Sequence, residues 1–337
     1  MTDLAAVDDL ARSTGFSGVV RVDVRGRTLH EAAHGAASRR WAVPVTPATR
    51  FGIASGTKTV TALTVLALVE RGRLELTTPA RSLLGRDLPL VDDGVTVEHL
   101  LAHRSGIGDY FDESALDGID DYVMPVPVHR LVTTEDYVQV LDGHAQVSPP
   151  GERFSYNNSG FVVLALLAER AAGRPFPDLV DELVCRPAGM TETAFLRSDE
   201  LPAGAATGYL SATGLRTNVL HLPVRGTGDG GLYTTAADVH RLWDAVLGGR
   251  VVGDALVATM TTPHSTLGEG RSRYGYGIWL DPVDDDVLVM EGYDAGVSFR
   301  SEHDRRRGST WTVLANTSEG AGPLVGPLRQ AVAAHAG

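Results

Sequence analysis

The chain has 337 residues, of which 43% are hydrophobic and 21% charged, and its formal net charge at pH 7 is −12. A chain of this length and composition can bury one large core or two ordinary ones, so we expect a globular protein. A surface so rich in negative charge gains nothing by approaching nucleic acid or an anionic membrane, which excludes both as partners and favours a small-molecule substrate.

The N-terminal segment predicts a β-hairpin. Residues 1–9 are acidic and lack the basic and apolar regions of an export signal, so we expect a cytoplasmic protein, or one made without its export signal. Apolar and polar residues alternate over residues 17–26, which are rich in valine, and residues 27–33 continue this pattern. Together they predict two paired strands.

The only lysine of the chain, Lys58, stands three positions after Ser55. A guanidinium stays charged in proteins, whereas burial can lower the pKa of an ammonium until it accepts a proton. Residues 57–73 predict a largely buried helix that stops at Gly72, and a serine and a lysine three positions apart share a helical face. Lys58 is therefore a candidate base for a nucleophilic Ser55. The alternative is an N-capping serine followed by a solvent-facing lysine.

Helical patterns, such as residues 159–172, occupy the middle of the chain and are joined by loops rich in Pro and Gly. The loop before this helix contains Tyr156, Asn157 and Asn158. A phenol at this place could carry the proton from the nucleophile to the leaving group. A helix-capping asparagine with a packed tyrosine is the alternative.

Two further residue types suggest no additional chemistry. The single Cys185 excludes an internal disulfide and is expected to pack in the core. His99 and His103 have a spacing found in metal sites, yet the glutamate of the zinc-protease motif is missing. No metal and no cofactor is predicted.

The C-terminal third returns to short strand-like runs, followed by a helix. The strands are predicted at residues 274–281, 285–290, 296–303 and 309–316, and the helix at 323–335. Strands at both ends predict an α+β fold, an α/β sandwich whose single antiparallel sheet is completed by the two termini and flanked by helices. Residues 1–75 and 236–337 would form this sheet domain, and residues 76–235 an inserted, mainly helical domain. The active site is expected in the cleft between them.

These motifs together resemble the serine beta-lactamase and penicillin-recognising superfamily. The branch of class C beta-lactamases, D-alanyl-D-alanine carboxypeptidases and family VIII esterases combines Ser-x-x-Lys with Tyr-x-Asn, as do Ser55 to Lys58 and Tyr156 to Asn158. Residues 100–106 are similar to its LLxHxSG stretch, and residues 228–238 to its GGLxSTxxD stretch. The resemblance covers roughly residues 15–320.

The resemblance implies a role for each matching residue. Ser55 would be the acylated nucleophile, Lys58 its activating base, Tyr156 the proton shuttle, and Asn158 a contact to the substrate or to Lys58. The oxyanion hole would consist of the backbone N–H of Ser55 and a second N–H from a strand edge.

The third motif departs from the family pattern. Met290-Glu291-Gly292 stands where the family has Lys-Thr-Gly or His-x-Gly. A methionine cannot hold a substrate carboxylate, and Glu291 would repel one if it pointed inward. Gly292 still permits close backbone approach, so the N–H of Tyr293 is the expected second oxyanion donor. All four residues are expected at the substrate-binding edge.

We therefore expect a serine hydrolase that cleaves an ester or amide through an acyl-enzyme on Ser55, with esterase-type activity favoured. A beta-lactamase, D-aminoacyl peptidase or carboxypeptidase is the alternative, and it needs a carboxylate anchor such as Arg300 or Arg225. A further alternative is a penicillin-binding-like binding or sensing module with little turnover. The substrate would be a small ester, amide or beta-lactam, while the oligomeric state is unknown from sequence.

Overall fold

The computed structural model describes residues 3–113, 116–267 and 273–335. The strands within these ranges are β1 (Gly18–Val24), β2 (Arg27–His34), β3 (Ala36–Ser38), β4 (Val43–Pro44), β5 (Phe51–Gly52), β6 (Tyr233–Thr234), β7 (Ser265–Thr266), β8 (Arg273–Tyr274), β9 (Trp279–Leu280), β10 (Val287–Asp294), β11 (Val297–Asp304) and β12 (Ser309–Ala315). The helices are α1 (Leu4–Ser13), α2 (Thr57–Glu70), α3 (Arg81–Leu84), α4 (Val97–Leu101), α5 (Val138–Leu141), α6 (Asn158–Ala172), α7 (Phe176–Val180), α8 (Arg186–Ala188), α9 (Ala236–Leu247), α10 (Asp254–Met260) and α11 (Gly322–His335).

The main sheet joins the two ends of the chain. In the described ranges it has eight strands in the order β2-β1-β12-β11-β10-β9-β8-β7. Each neighbouring pair is antiparallel, and β1 runs along β12 from Gly18 opposite Ala315 to Val24 opposite Ser309. This arrangement confirms the predicted α+β architecture with a sheet built from both termini.

Helices cover both faces of the sheet. On one face α1 and α11 pack over alternate residues of β1 and β12, such as Val20 and Val313. On the other face Val19 and Leu314 join the larger core, to which α2, α6 and α9 contribute. The alternation of Val19 and Val20 between two cores follows from the two-residue period of a strand. Among the described helices, none combines the length and apolar character that crossing a membrane requires.

Two parts of the fold differ from the sequence expectation. The single strand predicted at 274–281 is wrong, because β8 and β9 are separate short strands with a turn between them in which Gly277 has φ 68°. A Cβ at Gly277 would lie 2.4 Å from the Cβ of Ala62, so the turn lets the sheet approach α2 closely. Helix α1 was not anticipated, since it buries only Val7 and Ala11.

Candidate active site

Helix α2 begins directly after a strained turn that carries Ser55. The turn spans Ala54–Gly56, and Ala54 has φ 45°, in the left-handed region that few side chains favour. It follows β5, which pairs with β6. Such strain is stored where the surrounding structure fixes the backbone, often at functional sites. Ser55 is thereby held at the N-terminal end of a helix, where the helix dipole favours negative charge.

Lys58 is enclosed one helical turn from Ser55 and is only 2% exposed. Its Nζ lies 2.9 Å from Ser55 Oγ, 2.8 Å from Asn158 Oδ1 and 2.9 Å from the main-chain oxygen of Asp229. Burial lowers the pKa of Lys58, against the opposing effect of carboxylates led by Asp229. The predicted buried helix and the meeting of its serine and lysine are both present, and the alternative of a solvent-facing lysine is wrong.

Tyr156 completes the group around the Ser55 hydroxyl. Its ring centroid lies 5.0 Å from Lys58 Nζ, and its ring stacks on Trp279 at a centroid distance of 6.0 Å. Burial raises the pKa of Tyr156 well above its ordinary value, while a hydrogen bond with Ser55 acts in the opposite direction. The phenol therefore stays protonated at neutral pH and can serve as a proton donor.

The start of α6 positions Asn158 through a carboxylate that the sequence analysis missed. Asp109 accepts hydrogen bonds from the main-chain N–H groups of Asn158 at 2.8 Å and Ser159 at 2.9 Å. The helix cap itself is Asn157, whose Oδ1 accepts from the N–H of Gly160 at 2.7 Å. Burial raises the pKa of Asp109 to about 6. A capping asparagine and a lysine-binding asparagine are therefore adjacent residues.

The two histidines with metal-like spacing serve separate local roles. His103 Nδ1 accepts a hydrogen bond from the N–H of Asn157 at 3.1 Å, and burial lowers its pKa well below the ordinary value. His99 Nδ1 accepts from the N–H of Thr96 at 3.3 Å, at the start of α4. Cys185 is buried in the larger core, as predicted, and burial raises the pKa of its thiol to about 12.

Strand β10 places the third motif against the nucleophile turn. A Cβ on Gly292 would lie 2.0 Å from the carbonyl oxygen of Ile53 and 2.9 Å from the backbone nitrogen of Ser55. Met290 is buried, 1% exposed, whereas Tyr293 is 45% exposed. The glycine therefore allows strand and nucleophile to meet backbone to backbone, while Met290 packs in the core and its side chain does not face the cleft.

Glu291 forms an ion pair at the cleft. It is directly opposite Arg300 in the register of β10 and β11, and the two side chains form an ion pair. Arg300 also binds Glu302 at 2.8 Å. Two carboxylates thus bind the guanidinium that the sequence offered as a carboxylate anchor, and one of them, Glu302, is shared with Arg329. Arg225, the other candidate, donates to the main-chain oxygen of Phe195 at 3.2 Å.

Ser55 lines two adjoining pockets, a wide cleft and a smaller cavity. The wide cleft is lined by Tyr156, Trp279, Glu291 and Arg300, among others. The smaller cavity has mostly apolar and aromatic walls, which include Tyr110, Phe111, Tyr122, Tyr137, Leu222 and Val224. Three carboxyl groups, those of Glu113, Asp229 and Asp294, also line it.

The antiparallel sheet with flanking helices is the beta-lactamase and transpeptidase-like fold, and its class is that of the beta-lactamase-related hydrolases. The chain belongs to the beta-lactamase family, because the family model described as Beta-lactamase matches residues 5–335. The crystal structure of a penicillin binding protein from Bacillus halodurans superposes with a TM-score of 0.90 at 34% identity, covering 96% of this chain and 99% of that one.

Two curated relatives indicate the range of activities in the family. Esterase EstB of Burkholderia gladioli is 34% identical over 58% of this chain and 51% of its own length. A D-aminopeptidase of Gluconobacter oxydans (strain 621H) is 28% identical over 86% of this chain and 53% of its own length. The chain thus spans about half the length of these two relatives.

Proposed function

We propose that the protein hydrolyses esters or amides through an acyl-enzyme formed on Ser55. The observation that carries this proposal is the 2.9 Å contact between Lys58 Nζ and Ser55 Oγ, made by a lysine that is 2% exposed. A buried ammonium gives up its proton more readily than an exposed one, and the neutral amine can then accept the proton of the serine hydroxyl. The names of the two curated relatives, an esterase and an aminopeptidase, are compatible with such a reaction.

The proposed reaction assigns a role to each of these groups. Neutral Lys58 accepts the proton of Ser55 as Oγ attacks the substrate carbonyl carbon, and the carbonyl oxygen becomes an oxyanion. The backbone N–H groups of Ser55 and Tyr293 donate hydrogen bonds to that oxygen. Tyr156 delivers a proton to the leaving group as the carbon–leaving-group bond breaks, and Lys58 reprotonates the phenolate. Water then attacks the acyl-enzyme by the same route in reverse.

Esterase-type activity is the preferred form of this proposal. In the wide cleft, the only arginine among the described lining residues, Arg300, is bound by Glu291 and Glu302. A substrate carboxylate would meet no unpaired cation there and would face several acidic side chains. An uncharged alcohol leaving group faces no such penalty. We place the site between a sheet domain, residues 1–75 and 236–337, and a helical domain, residues 76–235.

Intact-protein mass spectrometry tests the proposal. Wild type, Ser55→Ala, Lys58→Arg and the control Ser13→Ala are exposed to a fluorophosphonate and, separately, to penicillin G. We expect a fluorophosphonate adduct on wild type and on Ser13→Ala, and none on the two site variants. Stable penicillin labelling that Ser55→Ala removes would replace the esterase preference with a penicillin-recognising activity. No adduct from either reagent would overturn the proposal in favour of a binding module.

A further inference from the structure

The stretch that resembles LLxHxSG packs against the loop that carries Tyr156. The N–H of Ser155 donates to the main-chain oxygen of His103 at 2.8 Å, and the N–H of Gly151 donates to that of Arg104, also at 2.8 Å. These bonds tie the loop to the turn that follows α4. A shift of the loop, and with it of Tyr156, would break both of them.

His103 binds the main chain on both sides of Tyr156. Its own carbonyl oxygen accepts from Ser155, and its Nδ1 accepts from the N–H of Asn157 at 3.1 Å. Its ring lies against the ring of Tyr156, with 4.4 Å between the two centroids. Three contacts of one residue thus fix the backbone before the phenol, the backbone after it and the ring itself.

The bond from Asn157 fixes the state of the His103 imidazole. Because Nδ1 accepts from a main-chain N–H it carries no proton, so the ring is neutral with its proton on Nε2. Phe161 and Tyr274 pack against this ring, at centroid distances of 4.9 and 4.7 Å. Burial and the charge of Lys58 both lower the pKa of His103, which favours the same neutral state.

Two local costs accompany this arrangement at His103. Its φ is 54°, in the left-handed region that is uncommon for residues other than glycine. Its Nε2 is buried and has no hydrogen-bond partner among the described residues, which costs free energy. Such costs persist where the surrounding structure fixes a residue, and they concentrate at functional sites. A side chain with a packing role alone would need no buried N–H.

We propose that His103 is a positioning residue, whose neutral imidazole holds the Tyr156 phenol in place between Ser55 and the leaving group. The inference rests on the proposed function, in which Tyr156 delivers the proton, and it adds a residue that touches neither substrate nor nucleophile. His103 is 1% exposed and is a lining residue of neither the wide cleft nor the smaller cavity. It therefore acts on the reaction only through Tyr156.

A matched pair of variants tests the acceptor of His103. Leucine and asparagine have nearly the same shape, but only asparagine offers an oxygen close to the position of Nδ1, and it tolerates the left-handed backbone. The kcat and KM of both variants are measured with ethyl butanoate and phenyl butanoate, which differ only in the leaving group. His303→Leu is the control, because it removes another buried imidazole, one that binds Thr310 and lines neither pocket.

We expect His103→Leu to lower kcat for ethyl butanoate by about 10–100-fold, the loss typical of a misplaced catalytic group, with KM within about threefold of wild type. The loss should be smaller for phenyl butanoate, whose leaving group depends less on protonation. His103→Asn should recover most of the lost kcat, and His303→Leu should behave as wild type. Equal losses in His103→Leu and His103→Asn, or equal losses for both esters, would overturn the assignment.

A double-mutant cycle tests whether His103 acts through Tyr156. Once Tyr156→Phe has removed the phenol, the position of the ring no longer matters for proton delivery. We therefore expect the double variant of His103→Leu and Tyr156→Phe to have a kcat within about twofold of Tyr156→Phe alone. Losses that multiply would show that His103→Leu disturbs the site independently of the phenol, which contradicts the proposal.

A measurement on wild type covers the case in which His103→Leu does not fold. Histidine labelled with ¹⁵N reports the protonation of each ring nitrogen by NMR, and the His103 signals are those that His103→Asn lacks. At neutral pH we expect a neutral ring with its proton on Nε2, while a proton on Nδ1 would overturn the proposal. If wild type hydrolyses both esters and His103→Leu matches it, only this inference fails. If wild type hydrolyses neither ester and forms no fluorophosphonate adduct, the proposed function fails as well.

Discussion

The carbonyl oxygen of Ile53 occupies the space that the Cβ of any larger residue at position 292 would need. The distance from an ideal Cβ on Gly292 to this oxygen would be 2.0 Å, far inside van der Waals contact. The same Cβ would lie 2.9 Å from the backbone nitrogen of Ser55. Strand and nucleophile turn are thus joined by a contact between two main chains, and a side chain at this place would force them apart.

Gly292→Ala should therefore separate the two proposed oxyanion donors. We expect kcat/KM for an ester to fall by roughly 10²–10³-fold, the loss seen when one oxyanion donor is removed. Gly322→Ala is the control, because a Cβ at Gly322 meets nothing within 4 Å. Activity within twofold of wild type in Gly292→Ala would show that β10 supplies no donor to the reaction.

The lowered pKa of Lys58 should be visible in the pH dependence of the reaction. The base must be neutral, so kcat/KM should rise with pH and level off above the pKa of Lys58, which lies below 10.5 because of burial. Lys58→Arg keeps a positive charge that cannot be removed, and it should lose about 10²–10⁴-fold in rate without a rising limb. A rising limb of the same midpoint in this variant would assign the titration to another group.

Tyr156→Phe should slow turnover while leaving the fold intact. The ring still packs on Trp279 and His103, but the hydroxyl that interacts with Ser55 is gone. We expect kcat to fall by about 10²–10⁴-fold. The melting temperature should stay close to that of wild type. The loss should be smaller for an aryl ester than for an alkyl ester, because a phenoxide is a better leaving group than an alkoxide and depends less on protonation.

Asp109→Asn should change how stability depends on pH. Burial raises the pKa of Asp109 to about 6, above its unfolded value of 3.8, so its protonated form is favoured in the folded protein. The stabilising contribution of Asp109 to the free energy of unfolding is therefore fully present below pH 3.8 and is lost as pH rises through 6. The free energy of unfolding of wild type relative to Asp109→Asn should fall by at most about 3 kcal/mol over this window. Urea unfolding at several pH values measures it, with Asp9→Asn as the control.

Part of this site could be predicted from sequence because its groups are close in the chain. Ser55 and Lys58 are one helical turn apart, so their meeting follows from helix geometry alone. The loop with Tyr156 and Asn158 precedes a strongly apolar helix, and its turn-rich composition marked it as a projecting segment. The strands at both chain ends could be predicted for the same reason, because each strand shows an alternation of apolar and polar residues within its own short stretch of sequence.

The rest depends on contacts between distant segments. The Glu291–Arg300 pair follows from the register of β10 and β11, and a shift of one residue would separate these side chains. Asp109 is 49 positions from Asn158 in the chain, so no spacing rule connects them.

Glu291→Gln should partly restore the capacity of the cleft to bind an anion. The change removes one of the two carboxylates bound to Arg300. We expect acylation by a carboxylate-bearing beta-lactam to become about threefold to tenfold faster, while hydrolysis of a neutral ester changes by less than about twofold. Glu31→Gln, which removes a comparable partner from Arg21 elsewhere in the sheet, is the control. Equal acceleration of both substrates would point to a general loosening of the site.

The pairing of β1 with β12 has a consequence for the newly made protein. The nucleophile turn and its lysine are made before the strand that packs against them, β10, which begins at Val287, and before the strand that ties the sheet to β1, which ends at Ala315. A nascent chain that has not yet reached β10 therefore holds its Ser-Lys pair without the strand that would supply the proposed second oxyanion donor. The proposed site can be complete only after β10 has docked on the nucleophile turn.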